Sequence, residues 1–268
     1  MIDSNPPESN RFEAGRENLI FKISSASEAS LRHPERNEDA IAFDQKAGFA
    51  IVLDGMGGLD AGDEASNLAC KVITERILKL KETADLAKVQ AEMIKALGDA
   101  SKQVNKKVPR SGTTAVVLKI VGKERKIAVI ASVGDSRAYL LREGNLRLIT
   151  EDDSTIPLVD RQRFDDTNGD DLDKYDYAVF RQKNQITQNI GSGEKLNVHL
   201  YSEELKKGDK IILTSDGVHD NLRTSDIRDT AAGENAAERL VNKAFEVSKT
   251  DLFRAKPDDM SVIMIEVS

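Results

Sequence analysis

One cysteine and three histidines in 268 residues narrow the chemistry before any motif is read. With Cys70 alone, an internal disulfide and a thiolate zinc cluster are both excluded. Three histidines leave little for an imidazole zinc site. An excess of basic residues is also missing. The 39 Lys and Arg stand against 46 Asp and Glu, a formal net charge of -7 that argues against a nucleic-acid partner. No apolar run approaches the length that crosses a bilayer, and the polar, Pro-bearing opening MIDSNPPESNRFEAGREN reads as neither a secretory signal nor a membrane anchor. The expectation is a cytoplasmic monomer without membrane or nucleic-acid partners. Residues 1–18 are expected to be a flexible segment and 19–268 a single domain.

What is present comes in an informative order. LIFKISSAS, AIAF and GFAIVLD read as strands, short, apolar and in part β-branched. Two helices follow, the first with Ala65, Leu68, Ala69, Val72, Ile73 and Ile77 at three- and four-residue steps, the second with Leu86, Val89, Met93, Leu97 and Val104. Four further strands, TTAVVLKIV, KIAVIASVG, RAYLLR and LRLIT, are joined by GKER and EGN connections that favour antiparallel hairpins. KIILTSDG reads as another buried strand, ENAAERLVNKAFEVSKT as a helix and MSVIMIEV as a closing strand. Runs of strands and pairs of helices, without strict alternation, predict an α+β fold of two antiparallel sheets with helices outside them.

Carboxylates fall at the ends of these strands. Asp54 precedes Gly55 and Asp216 precedes Gly217; Glu38 and Asp39 open a strand in RNEDA, and Asp258 and Asp259 precede the last one. An aspartate before glycine is an ordinary turn former, so no single one of these is informative. Together they are the oxygen-only donor set that a hard cation such as Mg²⁺ or Mn²⁺ takes, and a carboxylate ending a core strand needs such a partner to offset its desolvation.

The ordered motifs RNEDA, VLDGMGG, SGTTAVV, ASVGDSRAYLL, LITEDDS, ITQNIGSGE, ILTSDGVHDNL and PDDMSVIMIEV make the chain resemble the type 2C (PPM) metal-dependent protein serine/threonine phosphatases, bacterial-type, from about Leu19 to Val267. The resemblance implies a four-layer α-β-β-α sandwich and a catalytic domain over 19–268. It implies two to three Mn²⁺ or Mg²⁺ ions. Asp54 would bridge two of them, and the Gly55 carbonyl would bind one. Asp216 and Asp258 would complete the other, Glu38 and Asp39 would bind its neighbour directly or through water, and Asp135 would help hold a third. The implied reaction is hydrolysis of phosphoserine or phosphothreonine in proteins by a hydroxide shared between two cations, opposing a serine/threonine kinase. The alternative is a catalytically weak adaptor or scaffold on the same fold, which has no need of the carboxylates.

Four positions depart from the family pattern. Met56 stands where animal-type members have a histidine, Asp259 where asparagine is usual, Asp153 where histidine is common, and Pro34 where the phosphate-binding arginine belongs. Arg32 and Arg36 are the remaining candidates for substrate phosphate. Both share a face with Glu38 in an extended segment, and Arg32 is favoured because Pro34 can bend it back over the metals. Two rival motifs weaken on inspection. Cys70 and Arg76 have the spacing of cysteine-dependent phosphatases, but Val72 and Ile73 between them lie on a helical core stripe. DDTNGDDLDKYD fails as a calcium loop, because a register set by Gly169 puts Phe164 and Tyr175 at the first and last ligand positions. It is expected to be a solvated acidic flap.

Overall fold

A computed structural model of the chain describes residues 19–57, 61–80, 85–123, 125–167, 172–180 and 182–268. The expected segment 1–18 lies outside the described residues, as do Gly58 and 168–171 of the acidic flap. One antiparallel sheet runs in the order β1 (Phe21–Glu28), β11 (Met260–Val267), β10 (Lys210–Thr214), β7 (Arg137–Arg142) and β8 (Asn145–Leu148). The other runs β2 (Asp39–Asp44), β3 (Phe49–Gly57), β5 (Ala115–Val121), β6 (Ile127–Val133) and β9 (His199–Glu204), with β4 (Ser111–Thr113) added to the far end of β3. Helices α1 (Gly62–Ile77) and α2 (Leu86–Lys107) cover the second sheet. The first is covered by α5 (Asp216–His219), α6 (Thr224–Ala231) and α7 (Ala236–Ser248). The layers are α-β-β-α, as the resemblance implies.

The period-two alternation of each central strand assigns its side chains to two different cores. On β3, Phe49, Ile51 and Leu53 pack under α1 and α2, while Ala50 and Val52 enter the space between the sheets. On β11, Val262 and Met264 pack against α7, while Ile263 and Ile265 meet Ala50 and Val52 between the sheets. A strand buried on both faces has no polar face to show. This is why GFAIVLD and MSVIMIEV are continuous apolar runs.

The structure corrects two boundaries and adds three elements. Asp54 does not end its strand: β3 pairs with β5 as far as Val52, then switches partner, and Gly55–Gly57 pair with Ser111–Thr113 of β4. Asp216 does not end a strand either, because β10 stops at Thr214 and Asp216 opens the single-turn α5. Strand β9 and the flap helices α3 (Leu158–Asp166) and α4 (Lys174–Phe180) carry no strong periodicity and were not anticipated. The flap helices bury only a small aromatic cluster, in which Phe164 meets Phe180 edge-on at 5.4 Å and Phe180 meets Phe253 at 4.1 Å.

Candidate metal centre

Partner switching by β3 places the acidic residues. Asp54 lies at the switch, directly across from Asp39 in the β2–β3 register, so two carboxylates face each other on neighbouring strands. Like charges in that position repel. Thr114, which follows β4, fixes the switch, donating its backbone N–H to Asp54 O at 2.9 Å and accepting from Asp54 N through its hydroxyl at 3.1 Å. Ser215 then brings in the other sheet: its hydroxyl donates to Asp39 Oδ2 at 2.7 Å, just before Asp216. Burial raises the Asp54 carboxyl well above the usual carboxylate range, and Asp216, Asp39 and Asp258 raise it further. Burial likewise raises Asp39 and Asp216. Asp135, in the turn between β6 and β7, is pushed up to about 8 by burial and by Asp216.

These carboxylates fit a divalent cation on two observations. Asp39 Oδ1 and Asp216 Oδ1 are buried without a hydrogen-bond partner, a costly state for an acceptor that has no ligand. The backbone around Glu38 is packed too closely for a side chain at Gly55 or Gly62. A Cβ on Gly55 would sit 2.4 Å from Glu38 O and 2.3 Å from Gly62 O. One on Gly62 would crowd both Gly55 O and the Glu38 carboxyl carbon at 3.0 Å. The donor set is all oxygen, which suits Mn²⁺ or Mg²⁺.

Other residues complete the surroundings. Asp259 does not face solvent: it is buried, and its Oδ1 accepts from Ser30 N at 2.7 Å while Oδ2 accepts from Glu38 N at 2.6 Å. Asparagine offers one acceptor where two N–H groups point. We expect Asp259→Asn to cost about 1–3 kcal/mol of stability with little change in metal affinity, as read by thermal melts and Mn²⁺ titration. His33, Glu38 and Asp259 bring one potential ligand atom each within 4.8 Å of one another. There, however, His33 Nδ1–H donates to Arg36 O at 2.8 Å, so that nitrogen is no ligand. Arg36 pairs with Glu38 at 3.0 Å, whereas Arg32 stands exposed on the turn before Pro34. Asp153 accepts from Gly134 N at 2.8 Å and Gln188 Nε2 at 2.7 Å and pairs with His199 Nε2 at 2.8 Å, tying the β6–β7 turn to the flap's return. Cys70 sits on α1 with its thiol pushed up by burial, the opposite of what an attacking thiolate needs.

Sequence reasoning missed a basic residue at this centre. Lys256 Nζ contacts Asp216 Oδ2, lies 2.9 Å from Asp258 Oδ2 and is 3.5 Å from Asp220 Oδ2. Two signals were available. Lys256 and Asp258 are two apart in an extended segment, and Asp216 and Asp220 are four apart across one helical turn.

The family model for protein phosphatase 2C matches residues 28–252, which include every candidate ligand except Asp258. The chain belongs to the protein phosphatase 2C family. The serine/threonine phosphatase stp of Listeria welshimeri is 26% identical over 245 residues, 87% of this chain and 90% of the relative. PstP of Mycobacterium tuberculosis is 25% identical over 253 residues, 94% of this chain but 46% of that longer protein. Among solved structures, the serine/threonine phosphatase of S. agalactiae superposes with a TM-score of 0.75 at 26% identity, covering 93% of this chain and 100% of that one. The catalytic domain of PstP in complex with two manganese ions superposes with a TM-score of 0.72 at 25% identity, over 93% of this chain and 99% of that one. The phosphatase is therefore a metal-dependent protein serine/threonine phosphatase with manganese or magnesium as cofactor, and the adaptor alternative is not favoured. Its substrates are phosphoproteins. No helix among the described residues is long and apolar enough to cross a membrane.

Proposed function

We propose that residues 19–268 form one catalytic domain in which Asp54 would bridge two divalent ions. Gly55 O, Glu38 and Asp39 would serve one ion, Asp216 and Asp258 the other, and Asp135 would help hold a third, weaker one. The observation that carries this reading is the pair of buried carboxylate oxygens, Asp39 Oδ1 on β2 and Asp216 Oδ1 on α5, left without partners on two elements that Ser215 ties together. When bound, such ions supply a nucleophilic water at neutral pH and offset the charge of a phosphate monoester. The chain's own part is positional. Ser215 orients Asp39, the Thr114 pair holds the Asp54 backbone, and the absence of side chains at Gly55 and Gly62 lets those two backbones pack against each other and against Glu38.

Substrate phosphate is assigned to Arg32, which is exposed and so is available to a ligand from solvent, while the Arg36–Glu38 pair balances charge. The setting is a cytoplasmic monomer opposing a serine/threonine kinase. The test is Mn²⁺-dependent phosphate release from phosphoserine and phosphothreonine peptides. Arg32→Ala should raise KM with metal dependence unchanged, and Arg36→Ala should move the metal concentration required. The reverse pattern would exchange the two assignments.

A further inference from the structure

The strongest unassigned feature is the lysine at the carboxylate centre. Lys256 Nζ lies on Asp216 and Asp258, the two carboxylates that the reading above gives to one ion. Its backbone has no freedom to leave. Asn221, itself buried, receives Lys256 N on Oδ1 at 2.8 Å and donates through Nδ2 to Lys256 O at 2.8 Å and to Gly217 O at 2.7 Å. Pro257 stiffens the step to Asp258. Only the side chain can move, and a second set of partners lies within its reach. Asp220 Oδ2 is 3.5 Å from Nζ. With the Asn184 amide oriented by its hydrogen bonds, Nδ2 donates to Asp220 Oδ2 at 2.8 Å and Oδ1 accepts from Lys256 at 3.3 Å.

We propose that Lys256 is a built-in cation that holds Asp216 and Asp258 together in the metal-free phosphatase and must shift toward Asp220 and Asn184 before those two carboxylates can take a divalent ion. Lys256 occupies Oδ2 of both carboxylates, so a divalent ion on the free Asp216 Oδ1 and on Asp258 would meet the ammonium at contact distance, where the two cations repel. Lys256 therefore competes with the metal from within the chain. The affinity measured for that ion is its intrinsic affinity reduced by the fraction of molecules in which the lysine has moved aside. The metal-free protein gains in return a cation beside the buried Asp216 and the half-buried Asp258. Asp220 is prepared as the receiver: Lys183 already holds its Oδ1 at 2.9 Å, and Oδ2, which takes one hydrogen bond from Asn184, can accept a second from the incoming ammonium. The inference rests on Asp216 and Asp258 being metal ligands.

The experiment is calorimetric titration of the metal-stripped full chain with Mn²⁺, with thermal melts in EDTA and in Mn²⁺, for the wild type, Lys256→Met and Asp216→Asn. Lys256→Met is expected to bind Mn²⁺ at one site about tenfold more tightly. It should melt lower than wild type in EDTA and show a larger rise on adding Mn²⁺. Unchanged or weaker Mn²⁺ binding in Lys256→Met, with Asp216→Asn weakened as a ligand variant should be, would overturn the role of the lysine and leave the ligand assignment standing. Wild-type affinity in Asp216→Asn would overturn both. A crystal structure of the Mn²⁺-loaded wild type decides the matter even if the Met variant fails to fold. Nζ on Asp220 and away from Asp216 and Asp258 is expected, and Nζ still on those two beside a bound ion would refute the displacement.

Discussion

Asp54→Asn is expected to lower kcat/KM for a phosphopeptide by about three orders of magnitude or more, roughly 4 kcal/mol of transition-state stabilisation, while the metal-free protein melts no lower than wild type. Loss of activity follows from the proposed role: an amide oxygen is a poorer and uncharged ligand, and no other carboxylate occupies the β3 partner switch. Retained stability follows from electrostatics. Asp54 faces Asp39 across the strand pair, and burial followed by Asp216, Asp39 and Asp258 raises its carboxyl well above the ordinary range. A group whose pKa is higher folded than unfolded binds more protons in the native state, so stability contributed by it falls as pH rises from the unfolded value upward. Removing its charge relieves that penalty near neutral pH. Three readouts check this: turnover at saturating Mn²⁺, the melting temperature in EDTA at pH 7, and the Mn²⁺-induced rise in melting temperature, which should shrink. Near-normal turnover would remove Asp54 from the bridging position.

Arg137→Met is expected to have the largest effect on stability, a loss of about 3–5 kcal/mol. The guanidinium is 1% exposed and is the hub of the flap's attachment. Its Nε and Nη2 engage Asp152 at 2.8–3.1 Å, and Nη1 donates to Asp165 of α3 and to Tyr139 OH at 3.1 Å. Asp152 is shared with Arg161, whose Nε lies 2.6 Å away and whose Nη2 approaches Asp135 at 3.9 Å. Truncating Arg137 leaves Asp165 without its cation and Asp152 with one of its two, and neither can reach full hydration. At about 2–4 °C per kcal/mol for a domain near this size, the melt should fall by roughly 10 °C. Arg137→Lys should recover only part of this, because an ammonium cannot make the planar double contact with Asp152. A melt within about 2 °C of wild type for the Met variant would mean that the network is not holding the flap.

Much of this architecture was legible in the residues because its physical cause is local. The stripes Ala65 to Ile77 and Leu86 to Val104 are helical periodicity, and both became covering helices. The hairpins at GKER and EGN joined β5 to β6 and β7 to β8 as antiparallel pairs. The flap helices were not legible. The side chains of α3 that are described are mostly charged, and its stability comes from Arg137, Arg254 and a few aromatics supplied by distant segments.

The sequence by itself determined the family and the layer order, since eight family motifs in the family's order are specific where a single aspartate before glycine is not. Tertiary structure alone decided how those carboxylates are arranged and compensated. The β3 partner switch, the Ser215–Asp39 bond between sheets and the Asp259 acceptor for two backbone amides join residues up to 229 positions apart. Lys256 shows the limit most plainly. Its sequence neighbours mark it as a surface lysine beside a proline, and only the folding of α5 against the start of β11, clamped by Asn221, turns its ammonium onto Asp216. The spacing of Lys256 and Asp258 signals their own pairing, but the contact with Asp216, 40 positions away, depends on distance in space, which local pattern does not encode.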